Sequence, residues 1–141
     1  VNARPLVCLL LAAAPFAACA APACVRDFDA FMARFEADRA FQRAQSIQPL
    51  PYSVSEPGAA DRPVTRVRQL LPAEARTLDE IEFPGPQARE ARGLLEARQC
   101  THPSACVIAL DNRADERQSL RFSFAQRRGC WRLVGIARIG A

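Results

Sequence analysis

SLRFSFAQ (residues 119–126) and CWRLVGIARI (residues 130–139) flank Arg127, Arg128 and Gly129. Alternation of apolar and polar side chains at period two is the mark of a half-buried strand. Gly129 offers the left-handed conformation that closes a three-residue loop. The segment therefore reads as an antiparallel hairpin. Pairing Gln126 with Cys130 fixes the register, and opposed residues share a face. One face then carries Leu120, Phe122, Phe124, Val134 and Ile136, and is expected to pack against a helix. The other carries Arg121, Ser123, Ala125, Trp131, Leu133, Ala137 and Ile139. That second face is too apolar for an ordinary solvated surface. It is expected to pack on another element or to form a homodimer interface or a ligand or partner surface. Arg121, Trp131, Leu133 and Ile139 are its interface candidates.

A helix to cover the first face is found near the start of the chain. Phe28, Phe31, Met32 and Phe35 follow i, i+3, i+4, i+7 spacing after Asp27, a natural N-cap, and Phe41 extends the stripe. Pro49 predicts that the helix ends before it. Packing in a core accounts for this aromatic stripe better than a cofactor box. Four prolines between 48 and 63 predict a short edge strand over residues 50–55. Residues 64–71 read as a further strand and 73–81 as a short helical turn. Residues 87–98 fit either helix or strand. Residues 105–110 form an apolar strand followed by a turn at Asp111, Asn112 and Arg113. The fold class expected is α+β: an N-terminal amphipathic helix packed on a curved antiparallel sheet.

The chain has 141 residues, half of them hydrophobic, which fits one small domain. Its 19 basic residues are all arginine, and against 15 acids they give a net charge of +4. The first 20 residues read as a secretory signal, with Arg4 ahead of an apolar stretch of about nine residues and a run of small ones. Residues 21–141 are then the single domain, and its charge falls to about +3, too modest to argue for nucleic acid. Cys19 is a lipidation candidate at the end of a lipobox-like Phe16-Ala17-Ala18-Cys19. The alternative is simple cleavage after small residues. The expected location is the periplasm or outside the cell, with the membrane reached only through such a lipid anchor.

Cutting near Cys19 leaves Cys24, Cys100, Cys106 and Cys130, an even number in an oxidising compartment. These are the disulfide candidates, and three pairings are open. A zinc site from Cys100, His102, Cys106 and Cys130 is the competing reading, weakened by spacing that matches no tight pair-of-pairs pattern. The expectation is therefore no metal and no cofactor.

Phe28-x2-Phe31-x3-Phe35-x2-Asp38-x2-Phe41-Gln42, Pro49-Leu50, Phe122-x-Phe124 and Gly129-x-Trp131-x-Leu133-x2-Ile136 together resemble small secreted bacterial domains of the nuclear-transport-factor-two-like, or cystatin-like, fold. The resemblance spans residues 27–139 in outline, with its motifs at the two ends. It implies a cone in which a curved sheet wraps a long helix, the concave side being able to hold an apolar pocket. Similar domains serve as enzymes, dimerising scaffolds and protein-binding modules, so the fold transfers no activity. The favoured expectation is a non-catalytic exported binding protein whose partner is a protein or a small apolar ligand. One version is an immunity-type inhibitor of a toxin enzyme. The alternative is an isomerase- or dehydratase-like enzyme, for which Asp38, Tyr52, Asp79, Glu80, Glu82 and His102 are the available acid or base candidates. Neither a phosphate loop nor a nucleophile elbow is present. Arginines at 62, 66, 68, 127 and 128 form basic edges able to meet an acidic partner.

Overall fold

The computed structural model describes residues 23–58, 62–75, 77 and 81–140. The first 22 residues, with Cys19, and the acid candidates Asp79 and Glu80 lie outside them. Among the described residues four helices, α1 (Phe28–Ala37), α2 (Arg39–Gln45), α3 (Pro72–Ala75) and α4 (Pro86–Ala91), accompany one sheet. Its six strands are β1 (Leu50–Glu56), β2 (Val64–Leu70), β3 (Leu94–His102), β4 (Ala105–Asn112), β5 (Asp115–Arg127) and β6 (Cys130–Ile139). They lie in the order β2-β1-β6-β5-β4-β3. Every neighbouring pair is antiparallel except β1 and β6, which run parallel, so the sheet is mixed rather than wholly antiparallel.

The N-terminal helical stretch is two helices. Asp27 Oδ1 accepts the Ala30 N–H at 2.8 Å and starts α1. Asp38 ends it, its own N–H donating to the Arg34 carbonyl at 3.0 Å, and its Oδ1 caps α2 by accepting the Phe41 N–H at 3.0 Å. A short acidic side chain that bonds its own backbone neighbours favours such a junction over helix continuation. Residues 87–98 prove to be both helix and strand. Gly85 and Pro86 open α4, the proline placed where a missing N–H costs nothing. Gly93, at φ 63°, turns the chain into β3.

β1 is an inner strand, not the predicted edge. Pro51 precedes the pairing of Tyr52, Ser53, Val54 and Ser55 with β6, so no ladder hydrogen bond is lost to it on that side. The edge falls to β2 instead. Among the described residues no helix is long and apolar enough to cross a membrane.

The core is aromatic. The Phe124 ring lies 5.8 Å from Phe28, 5.8 Å from Phe31 and 5.3 Å from Phe35. Phe83, on the segment before α4, packs edge-on against Phe122 at 4.9 Å. These edge-to-face contacts join α1 to the middle of the sheet through the phenylalanines themselves.

The terminal hairpin corrects the predicted register. Arg127, not Gln126, pairs with Cys130, and the connection is a two-residue turn of Arg128 and Gly129 with φ of 53° and 79°. Positive φ at both positions suits the right-handed twist of the flanking strands. A one-residue slip sends a strand's side chains to the opposite face, so Trp131 and Leu133 join Phe124 in the core, 2% and 1% exposed. The slip is undone further on. Phe124 pairs with Leu133 while Ser123 pairs with Gly135, so Val134 is an extra, bulged residue. Beyond it Phe122 faces Ile136 in the core, and Arg121, Ala137 and Ile139 lie on the outer face.

Candidate functional site, a cleft beneath the second helix

The helix α2 presents Arg39, Gln42, Arg43 and, just past its end, Ser46 on one side, the i, i+3, i+4, i+7 spacing that lines up side chains along a helix. Facing them are Pro72 and Ala75 of α3, with Ile81 and Glu82 after it. Between these walls lies a cleft of about 210 Å³ floored by Phe35, Leu50 and Leu133. The floor residues are each 1% exposed, so the cleft ends on the core itself.

Gln42 builds the wall. Its Nε2 donates to the carbonyls of Phe35 at 2.7 Å and Phe83 at 3.0 Å, and its Oε1 accepts the Phe83 N–H at 3.0 Å. The buried amide is thereby fully engaged with backbone, as a buried polar group must be. Ser46 Oγ donates to the Gln42 carbonyl at 2.8 Å. The mouth is charged. Glu82 accepts from Arg39 Nε at 3.0 Å and from Arg43 Nη2 at 3.4 Å. Each guanidinium has five N–H donors, so these two contacts leave both arginines with donors to spare.

The remaining sequence candidates are dispersed. Asp38 has its carboxylate on the Phe41 N–H as a helix cap. Tyr52 is buried on β1 with the Arg68 guanidinium 5.3 Å above its ring. His102 is exposed at the β3–β4 turn, its Nδ1 2.7 Å from Ser104 Oγ. Of the candidates among the described residues, Glu82 alone reaches the cleft. Gln42 was missed as a site residue because nothing in the spacing of a glutamine announces that its partners lie 41 residues away.

The cysteines are joined as Cys24–Cys130 and Cys100–Cys106. That division separates the four side chains of the competing zinc set, since two of its sulfurs bond each other and the third is held by Cys24. Cys130 follows the hairpin turn and Cys24 lies beside Val25, whose carbonyl accepts the Trp131 N–H at 3.0 Å. Trp131 Nε1 donates to the Arg26 carbonyl at 2.9 Å. Of the interface candidates, Trp131 and Leu133 are thus internal, and their burial follows from the hairpin register. Arg121 and Ile139 border a shallow outer concavity with Ser55, Glu56, Asp111 and Ser119.

No family model matches the chain, and no curated protein matches it in sequence. Solved structures do. An NTF2-like protein from Bacteroides fragilis superposes with a TM-score of 0.55 over 79% of this chain at 17% identity. The match spans 46% of that protein, about half of its length. A chain assigned as the beta subunit of an aromatic-ring-hydroxylating dioxygenase from Novosphingobium aromaticivorans matches at a TM-score of 0.35 and 13% identity, too distant to carry an argument. Six strands in a mixed sheet, helices laid on an aromatic inner face, and this superposition agree: the chain has the nuclear-transport-factor-two-like fold.

Proposed function

We propose that this protein is an exported, non-catalytic binding module of the bacterial envelope, and that the cleft beneath α2 receives the apolar part of a small acidic ligand or of a partner's side chain. The observation that carries the reading is the cleft's chemistry. An apolar floor opens between Phe35, Leu50 and Leu133, while the one acid at its mouth among the described residues is bridged by Arg39 and Arg43. General acid–base catalysis needs a group placed to exchange a proton with the substrate. Here the carboxylate is engaged by two cations, and the guanidiniums suit recognition of an acid. Apolar pockets with a few polar groups at one side are the usual form of a small-molecule site.

Export is supported by the N-terminal composition and by two disulfides, which persist in oxidising compartments. Cys19 as a lipid anchor, homodimerisation, and an immunity-type role against a toxin enzyme are narrower versions of the same reading.

The test is titration of the oxidised mature chain with decanoate, followed by NMR. Shifts at Leu133, Ser46 and Ala75 that saturate are the expected result. Ala75→Trp, which fills the cleft from α3, should abolish them, and Arg39→Gln with Arg43→Gln should weaken binding about tenfold, in line with charge-assisted contacts to a carboxylate. Shifts located elsewhere, or unaffected by Ala75→Trp, would remove the cleft from the proposal.

A further inference from the structure

The sheet ends on β2, VTRVRQL, whose outer side no described strand covers. Six of its seven residues are exposed, Val67 at 66%. An edge strand presents a row of N–H and C=O groups able to template another chain. On β2 that row carries an unbalanced charge. Arg66 and Arg68 pair across with Val54 and Tyr52 and so share one face, while Val67, opposite Ser53, lies on the other. Arg62 lies just before the strand, and residues 62–71 contain no acid.

The arginines of the helical side are differently placed. Arg39, Arg43, Arg89 and Arg98 are all in ion pairs. Among the described residues neither Arg62 nor Arg66 is bonded to an acid, and Arg68 lies over the Tyr52 ring at 5.3 Å. The opposite edge, β3, has no such excess, because Glu96 and Arg98 alternate there with partners on the helices.

We propose that the β2 edge docks an extended segment of an acidic partner protein, in which acidic residues alternate with apolar ones. Main-chain hydrogen bonds would extend the sheet by one strand, with acids beside Arg66 and Arg68 and an apolar side chain beside Val67. This is recognition by strand addition, where backbone pairing gives affinity and alternate side chains give selectivity. A second copy of this chain does not fit the same edge. Two β2 strands laid side by side bring arginines of both copies onto one face, and like charges in neighbouring strands repel.

The probe is a terminally blocked, labelled heptapeptide of alternating glutamate and valine, titrated by anisotropy into the oxidised mature chain. Two control peptides accompany it: one alternates lysine and valine, and the other carries proline for the central valine. The glutamate peptide should bind, at least about tenfold more tightly than either control. Arg66→Glu, an exposed position whose variant can be checked for folding by circular dichroism, should weaken it about tenfold and transfer preference to the lysine peptide. Amide shifts should fall on residues 64–70. No binding of the glutamate peptide, equal binding of the proline peptide, indifference to Arg66→Glu, or shifts along β3 would each overturn the proposal.

Discussion

Gln42 and Phe83, 41 residues apart, are joined by two hydrogen bonds of 3.0 Å in opposite senses, one from the glutamine amide nitrogen to the Phe83 carbonyl and one from the Phe83 N–H to the amide oxygen. A side-chain amide here does what a neighbouring strand would do for that backbone. It holds the segment before α4 against α2, where the cleft has its wall and Phe83 reaches Phe122. Replacing Gln42 with leucine keeps the volume and strands the Phe83 N–H and carbonyl in a buried site. Each unsatisfied buried group costs about 1–3 kcal/mol, so Gln42→Leu should lose about 2–6 kcal/mol in urea unfolding. A loss below about 1 kcal/mol would show that water or a local shift satisfies Phe83.

Trp131 is the single tryptophan, and its burial makes the hairpin register observable in solution. Native emission should be blue-shifted and resistant to iodide, moving to the red on unfolding. Trp131→Phe keeps most of the packing but removes the bond to the Arg26 carbonyl, and should cost about 1–2 kcal/mol. Ready quenching in the native state would return the indole to the surface and restore the three-residue loop.

The balance of energies explains why that register was hard to read. A three-residue loop avoids a positive φ at Arg128, a saving of about 1–2 kcal/mol for a non-glycine residue. Turning Trp131 and Leu133 inward is worth roughly 4–6 kcal/mol by buried area, which wins. The local turn preference was legible and the tertiary gain was not. Ile136 was placed correctly all the same, because the bulge at Val134 restores the parity that the shorter turn had changed. The aromatic stripe of α1 was legible for a simpler reason: Phe31, Met32 and Phe35 bury one face at helical spacing, whatever they meet. The cleft was not, since its residues come from four separated segments and its defining bonds are long-range.

The two disulfides should differ in their effect because they close loops of different length. Cys24 and Cys130 are 106 residues apart, and Cys100 and Cys106 only 6. Chain entropy in the unfolded state assigns about 4–5 kcal/mol to the first and about 2–2.5 kcal/mol to the second. Replacing Cys24 and Cys130 with serine should therefore lower the unfolding midpoint further than replacing Cys100 and Cys106. Denatured, unreduced mature chain cleaved before Cys24 and after Cys19 should show no free thiol. Equal destabilisation by the two double replacements would indicate that native packing around Trp131, rather than loop closure, sets their contributions.

Arg89 offers the sharpest test of a charge on the inner side. Its Nη2 lies 3.2 Å from Glu36 and 3.1 Å from Glu96, and its Nη1 donates to the Pro84 carbonyl at 2.9 Å. One guanidinium on α4 thus ties α1 to β3. The arginine side chain is 13% exposed and the two carboxylates 17% and 26%, so water screens the cluster only in part. Arg89→Met keeps the stem and leaves two carboxylates facing each other without a cation. The full cost of breaking a buried pair is about 3–5 kcal/mol, and partial exposure lowers the expectation to about 2–3 kcal/mol. Adding Glu36→Gln and Glu96→Gln to Arg89→Met should recover about half of that loss, because the residual penalty then comes from the Pro84 carbonyl and from packing. Recovery of nothing would mean that the Arg89 guanidinium acts through the Phe83 ring, 5.4 Å from its Cζ, and through the Pro84 carbonyl, and that the two carboxylates contribute little.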